Sequence, residues 1–72
     1  METFEFVLTN GYAKSESFKC TIQEAIEACE HDSRFMNTKN WLYQFINGQF
    51  QEIGHTVLDG FFWRYKKLKF RI

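Results

Sequence analysis

The length, composition and charge of this chain predict one small folded domain. Its 72 residues suffice for one domain but not for two, and nine Phe, three Tyr and two Trp supply the large side chains of a core, which excludes a disordered chain. The sequence has neither an N-terminal leader pattern nor an apolar run near the ~18 residues of a membrane span. We therefore expect a cytoplasmic protein without a membrane partner.

Charge is distributed unevenly along the chain, although the formal net charge is zero. Residues 1–32 hold seven acids and two bases, whereas residues 33–72 hold seven bases and two acids. This polarity is typical either of a local patch for an anionic partner or of two halves that neutralise each other in the fold.

A β-hairpin is predicted for the first twenty residues. Apolar and polar side chains alternate over residues 3–9 and again over residues 15–20, and Asn10-Gly11 between them is a turn sequence. One face of the first strand carries Phe4, Phe6 and Leu8. Val7 falls on the opposite, more polar face.

The clearest predicted element is a helix that begins after Thr21. Thr21 and Glu24 form a capping box, in which the hydroxyl and the carboxylate bond backbone N–H groups at the helix start. Apolar residues then recur at the spacing of one helical stripe: Ile22, Ala25, Ile26 and Cys29. The pattern predicts a helix over residues 22–31 with an acidic outer face.

Residues 38–47 have two interpretations. A helical stripe is formed by Trp41, Leu42, Phe45 and Ile46, and this spacing favours a short helix that ends near Gly48. Alternatively, Asn47-Gly48 is a preferred hairpin turn, and the aromatic and branched residues before it suit a strand. Because that strand would be apolar on both faces, we predict the helix.

The end of the chain predicts a second hairpin, with Asp59-Gly60 as its two-residue turn. After the turn, one face of the strand carries Phe61, Trp63 and Tyr65, and the other carries Arg64 and Lys66. The apolar residues then change parity, to Leu68, Phe70 and Ile72. A β-bulge or sharp bend at Lys66-Lys67 would restore one continuous apolar face, so we predict one there.

These elements predict an α+β fold in a single domain, residues 1–72. An antiparallel sheet of about four strands would carry the helix over residues 22–31 on one face, with the second short helix at residues 38–47 as an optional addition.

The sequence offers no pattern for catalysis, and we expect a protein that is not an enzyme and needs no cofactor. His31 and His55 lack the partners that acid–base or nucleophilic chemistry requires. Cys20 and Cys29 have neither a redox nor a metal-ligand spacing, so they are predicted to be free thiols. No metal site is predicted.

The basic, aromatic C-terminal strand is the strongest functional signal. Nucleic-acid surfaces combine cations for phosphates with planar groups for stacking. The predicted residues for binding nucleic acid or another partner are Phe62, Arg64, Lys66, Lys67, Lys69 and Arg71. They predict a non-enzymatic binding protein that contacts nucleic acid or a nucleoprotein.

Four landmarks resemble the intron-encoded nuclease repeat, a modular DNA-binding unit of homing endonucleases. They are Phe18, the segment 21–25, Asn47-Gly48 after a helix, and the Gly-Phe-Phe-Trp-Arg-Tyr-Lys segment over 60–66. The resemblance covers about residues 18–67 and implies that residues 38–47 face DNA.

A protein partner is the competing hypothesis. Small aromatic-rich chains without catalytic residues resemble, by type, the accessory proteins of bacteriophages and mobile elements, including anti-CRISPR inhibitors; a phage-encoded chain would act in the cytoplasm of its bacterial host. Aromatic and Arg side chains concentrate binding energy at protein interfaces, so Phe62, Arg64 and Tyr43 would serve such an inhibitor or adaptor if they are exposed. An exposed edge of the hairpin could also form a homodimer.

Overall fold

The computed structural model describes residues 1–69, which form one helix and one antiparallel sheet. The elements in chain order are β1 (Phe4–Thr9), β2 (Phe18–Cys20), α1 (Ile22–Met36), β3 (Trp41–Ile46), β4 (Gln49–Asp59) and β5 (Phe62–Lys67). The strands lie in the order β2-β1-β3-β4-β5. The predicted α+β class is confirmed, but the sheet within these residues has five strands rather than about four.

The prediction of a helix over residues 38–47 is wrong, because this segment forms the central strand β3 and a hairpin turn. Asn47 and Gly48 have φ values of 52° and 84°, the left-handed conformation of a two-residue turn that matches the twist of paired strands. β3 lies between β1 and β4, and Leu42 on one of its faces is fully buried. A central strand can be apolar on both faces although only one is covered, and Trp41 and Tyr43 on its other face stay partly exposed beside the flanking strands.

The helix begins where the capping box predicts and ends five residues later than predicted. Thr21 Oγ1 accepts from Glu24 N, and Glu24 Oε1 accepts from Thr21 N. The buried stripe continues through Ser33, a polar residue that conceals the helical pattern in the sequence. Asn37, with φ 51°, ends α1 as a left-handed C-cap.

The core lies between α1 and one face of the sheet. Its buried apolar side chains are Phe6, Ala25, Cys29 and Leu42. Phe18 packs beside Phe6, with 6.0 Å between the ring centroids. The side of the sheet that α1 covers is called the helix face, and the opposite side is called the open face.

The second hairpin differs from its prediction in two ways. Its two-residue turn is Gly60-Phe61 rather than Asp59-Gly60, so Phe61 lies in the turn and is exposed instead of joining the core. The predicted bulge at Lys66-Lys67 is also wrong, because both residues pair with β4 in unbroken register.

The irregularity lies in β4 instead, where Ile53 is an extra residue. Glu52 pairs with Tyr43 and Gly54 pairs with Leu42, which leaves Ile53 between them without a partner in β3. The Leu68 N–H donates to the Ile53 carbonyl at 3.0 Å, directly after β5 ends. Phe70 and Ile72, which the bulge prediction also used, lie outside the described residues.

Candidate nucleic-acid interface

The open face carries a row of side chains that crosses three strands. Trp41 of β3 pairs with His55 of β4, and His55 pairs with Lys66 of β5. Partners that lie directly opposite each other in antiparallel strands point to the same face. An aromatic ring, an imidazole and an ammonium group therefore lie side by side.

Further aromatic side chains extend this row along β3 and β4. Tyr43 and Phe45 follow Trp41 at alternate positions of β3, so all three share the open face. Phe50 of β4 pairs with Phe45, and their rings meet edge to face with 5.1 Å between centroids. Both of these Phe side chains are exposed, so the face presents accessible ring surface.

Cations surround the aromatic side chains. The Lys39 ammonium lies 5.1 Å from the centroid of the Trp41 ring, within the range of a cation–π contact. Arg64 shares the open face with Lys66, since the two alternate along β5. Lys14, in the loop between β1 and β2, lines one depression together with Tyr43 and Phe50.

Acidic side chains neutralise part of this charge. Arg64 Nε lies 3.0 Å from Asp59 Oδ2, and both side chains are more than half exposed. His55 Nδ1 lies 3.2 Å from Glu52 Oε2. Within residues 1–69, Lys14 and Lys66 have no carboxylate within 4.0 Å, so they are available to an external anion.

The predicted binding residues do not form one patch. Phe62, Arg64 and Lys66 share the open face of β5, whereas Lys67 points to the helix face and lines a groove with residues of α1. Lys69 is exposed beyond the end of β5. Arg71 lies outside the described residues.

The turn between β4 and β5 exposes three large apolar side chains. We call residues 58–62 the hairpin tip. The exposed fractions are 58% for Leu58, 96% for Phe61 and 58% for Phe62.

Contacts with the end of α1 hold this tip in place. The guanidinium of Arg34 on α1 lies 5.9 Å from the Phe62 ring centroid, and Trp63 Nε1 donates to Asn37 Oδ1 at 3.0 Å. The tip is thus held against the end of the helix.

Tyr43 was predicted as a contact for a protein partner but was not grouped with Trp41 and Phe45, because residues 38–47 were predicted to be a helix. The signal that could have found them is the alternation of Trp41, Tyr43 and Phe45 before Asn47-Gly48. Read with period two, it places three rings on one face of a strand.

Neither cysteine belongs to the candidate interface. Cys29 is buried in the core, and burial raises the pKa of its thiol to about 12. Burial also raises the pKa of Cys20 above its ordinary value, with a smaller contribution from Glu24. Among residues 1–69, no three His, Cys, Asp or Glu side chains are grouped to hold a metal ion.

The single helix of the described segment is too short and too polar to cross a membrane.

Comparison of the chain with models of known protein families, with curated proteins and with solved structures found no significant match.

Proposed function

We propose that this chain is a non-enzymatic binding protein that contacts single-stranded nucleic acid, alone or within a nucleoprotein, through its open face. The observation that carries the proposal is the row formed by Trp41, His55 and Lys66, continued by the rings of Tyr43 and Phe50. Aromatic rings stack on unpaired bases, and neighbouring cations bind the phosphates.

A single strand suits this surface better than a duplex. Duplex readers place a helix or a narrow ribbon in a groove, but the segment that the nuclease-repeat resemblance assigns to DNA is the central strand β3. The outer face of α1 carries Glu24 and Glu27, which repel phosphates. Unpaired bases, in contrast, can lie flat on a broad sheet.

The charges predict moderate affinity with a measurable salt dependence. Lys14, Lys39 and Lys66 are the main cations, and Arg64 contributes less because Asp59 already contacts it. Binding three to four phosphates of a single strand gives a slope of log affinity against log salt of roughly −2 to −3.

The test is fluorescence anisotropy with labelled dT12, rU12 and a 12-base-pair duplex over a salt series. Both single strands are expected to bind more tightly than the duplex, with the slope above. If none of the three bound at low salt, the proposal would be excluded.

Two neighbouring lysines provide a matched pair of variants. Lys66 lies on the open face and Lys67 on the helix face, although they are adjacent in sequence and carry the same charge. Lys66→Glu is expected to weaken binding about tenfold and to make the slope shallower by about 0.7, since one phosphate contact is lost. Lys67→Glu is expected to have a smaller effect. Equal losses would show that contact is not confined to the open face.

The hairpin tip favours a second candidate, which is docking on a protein. Three exposed apolar side chains within five residues form a patch, whereas apolar surface residues that are scattered singly need no explanation. Aromatic anchors beside Arg are typical of interface hot spots. In this case the chain would be an inhibitor or adaptor of the type that phages and mobile elements encode, anti-CRISPR proteins included.

A photo-crosslinking amino acid at position 61 tests this candidate in cells. One defined protein is expected to be crosslinked from position 61 and not from the exposed position 16, and Phe62→Ala is expected to abolish the product. A product equally strong from both positions, or unchanged by Phe62→Ala, would count against the tip. Sedimentation of the purified chain detects a homodimer, and so distinguishes self-association from crosslinking to another protein.

A further inference from the structure

A depression on the open face is bordered by the loop between β1 and β2. Its volume is about 320 Å³, and it opens to solvent. Residues from three strands and the loop line it: Val7, Thr9, Lys14, Tyr43 and Phe50. Val7, exposed by only 7%, is the least exposed of them.

Hydrogen bonds hold the loop that carries Lys14. Asn10 Oδ1 accepts from the backbone N–H groups of Tyr12 and Ala13, at 2.9 and 2.8 Å. Thr9 Oγ1 donates to the Ala13 carbonyl at 2.8 Å, and the Ser15 N–H donates to the Leu8 carbonyl at 2.8 Å. Lys14 therefore projects from a fixed backbone at the rim of the depression.

The chemistry of the lining suits a flat ring that is attached to an anion. Val7, Tyr43 and Phe50 provide apolar surface, and Phe50 is supported from the side by Phe45. Lys14 provides the only charge of this lining within residues 1–69. A volume near the lower end of ligand sites, about 300–1,000 Å³, suits one nucleotide and not two.

We propose that this depression binds one nucleobase of a single strand, with the Lys14 ammonium on the adjacent phosphate. The proposal rests on the proposed function and specifies a base subsite within the open face. Because Thr9 Oγ1 already donates to the Ala13 carbonyl and accepts from the Gly11 N–H, the lining offers few groups to read base edges. The subsite therefore prefers purines over pyrimidines through stacking and discriminates weakly between adenine and guanine.

Titration followed by ¹⁵N NMR of the full chain tests the subsite with two small probes. Adenosine 5′-monophosphate carries the base, and ribose 5-phosphate is the same molecule without it. The nucleotide is expected to shift the amide signals of residues 7–9, 43 and 50, whereas ribose 5-phosphate is expected to shift only those near Lys14. Identical shifts by both probes, or shifts elsewhere, would overturn the subsite.

A third titration, with dA12, separates this proposal from the function on which it rests. If dA12 shifts open-face signals but the nucleotide does not shift those of the depression, only the subsite is wrong. If dA12 shifts none of them, both proposals are wrong.

Two Phe variants test the stacking contact directly. Phe50→Leu keeps an apolar side chain but removes the ring, and it is expected to weaken dA12 binding about 5- to 20-fold. Phe35→Leu, at an exposed position of α1, is the matched control and is expected to leave binding unchanged. Unchanged dA12 affinity in a folded Phe50→Leu variant would contradict the subsite.

Discussion

The carboxylate of Glu30 on α1 accepts a hydrogen bond from the backbone N–H of Tyr65 on β5, with 2.7 Å between Oε2 and N. One turn further along α1, Arg34 Nε donates to the Trp63 carbonyl at 2.9 Å. The two side chains lie 3.9 Å apart at their charged ends. Together they bind one N–H and one C=O on the outer edge of the sheet, where a neighbouring strand would otherwise pair.

Removal of the Glu30 carboxylate is expected to destabilise the fold. Glu30→Ala leaves the partly buried Tyr65 N–H without its partner, which costs about 1–3 kcal/mol in the free energy of unfolding. Urea denaturation measures this loss, and hydrogen exchange of the Tyr65 amide is expected to accelerate with it. Glu27→Ala is the control, because Glu27 is exposed and, among the described residues, its side chain hydrogen-bonds only Gln23 of its own helix. Equal losses in the two variants would assign the effect to the helix rather than to the strand edge.

Gly54 is expected to tolerate no side chain because the Tyr65 ring lies against its backbone. A Cβ at position 54 would overlap the Tyr65 hydroxyl, which donates to the Ile53 carbonyl at 3.1 Å. Gly54→Ala is therefore expected to lower the free energy of unfolding by about 2–3 kcal/mol through overpacking. Thermal and urea denaturation both measure this change.

A second substitution at Tyr65 distinguishes overpacking from a backbone effect. In a Tyr65→Leu background, Gly54→Ala is expected to cost less than in the native chain, because the overlapping atoms are gone. Gly48→Ala serves as the control: nothing lies within 4 Å of its added Cβ, and its cost of about 1 kcal/mol comes from the positive φ alone. An additive double variant would refute the proposed contact.

Local patterns in the sequence predicted the elements that local interactions determine. The capping box at Thr21 and Glu24 specified the start of α1, and the alternation around Phe6 specified β1. The end of α1 was missed because Ser33 is buried through a partner distant in sequence, Thr56, whose hydroxyl lies 2.8 Å from its own. No local pattern reports such a contact.

The candidate interface was only partly predictable for the same reason. Phe62, Arg64 and Lys66 were found from their alternation, which the regular strand β5 preserves. Alternation places Trp41 and Tyr43 on one face only if the segment is recognised as a strand, and the pairing of β3 with both neighbours depends on tertiary contacts. The strand and helix patterns of this segment are otherwise nearly equal, so this pairing decided between them.

The hydroxyl of Thr56 lies at the centre of a buried polar cluster. It lies 2.8 Å from the Ser33 hydroxyl and accepts from the Asn40 N–H at 2.9 Å, and all three residues are buried. Thr56→Val keeps the shape but leaves both partners unsatisfied, so we expect a loss of about 2–4 kcal/mol in urea denaturation. Adding Ser33→Ala is expected to cost little more, since one of the unsatisfied groups is then removed. A fully additive double variant would contradict the cluster.

Stability is expected to fall above pH 9 because a buried thiol and a partly buried phenol hold their protons more tightly in the folded chain. Burial raises the pKa of Cys29 from 9.0 to about 12, with smaller contributions from Glu30 and Asp32. Burial likewise raises the pKa of Tyr65 from 10.0 to about 12. Below pH 9 both groups are protonated in the folded and the unfolded chain, so neither makes stability depend on pH.

The unfolded chain releases the Cys29 proton first between pH 9 and 12, and the Tyr65 proton first between pH 10 and 12, so each group makes folding less favourable as the pH rises through its own window. The Cys29 thiol alone gives a slope of about 1 kcal/mol per pH unit near pH 10 in the free energy of unfolding. Cys29→Ala is expected to lower stability at pH 7 through the cavity it leaves, and to make this slope shallower. Cys20→Ala, at a partly exposed thiol with a smaller shift, is the control and is expected to change the slope less. An unaltered slope in Cys29→Ala would show that the buried thiol does not hold its proton more tightly in the folded state.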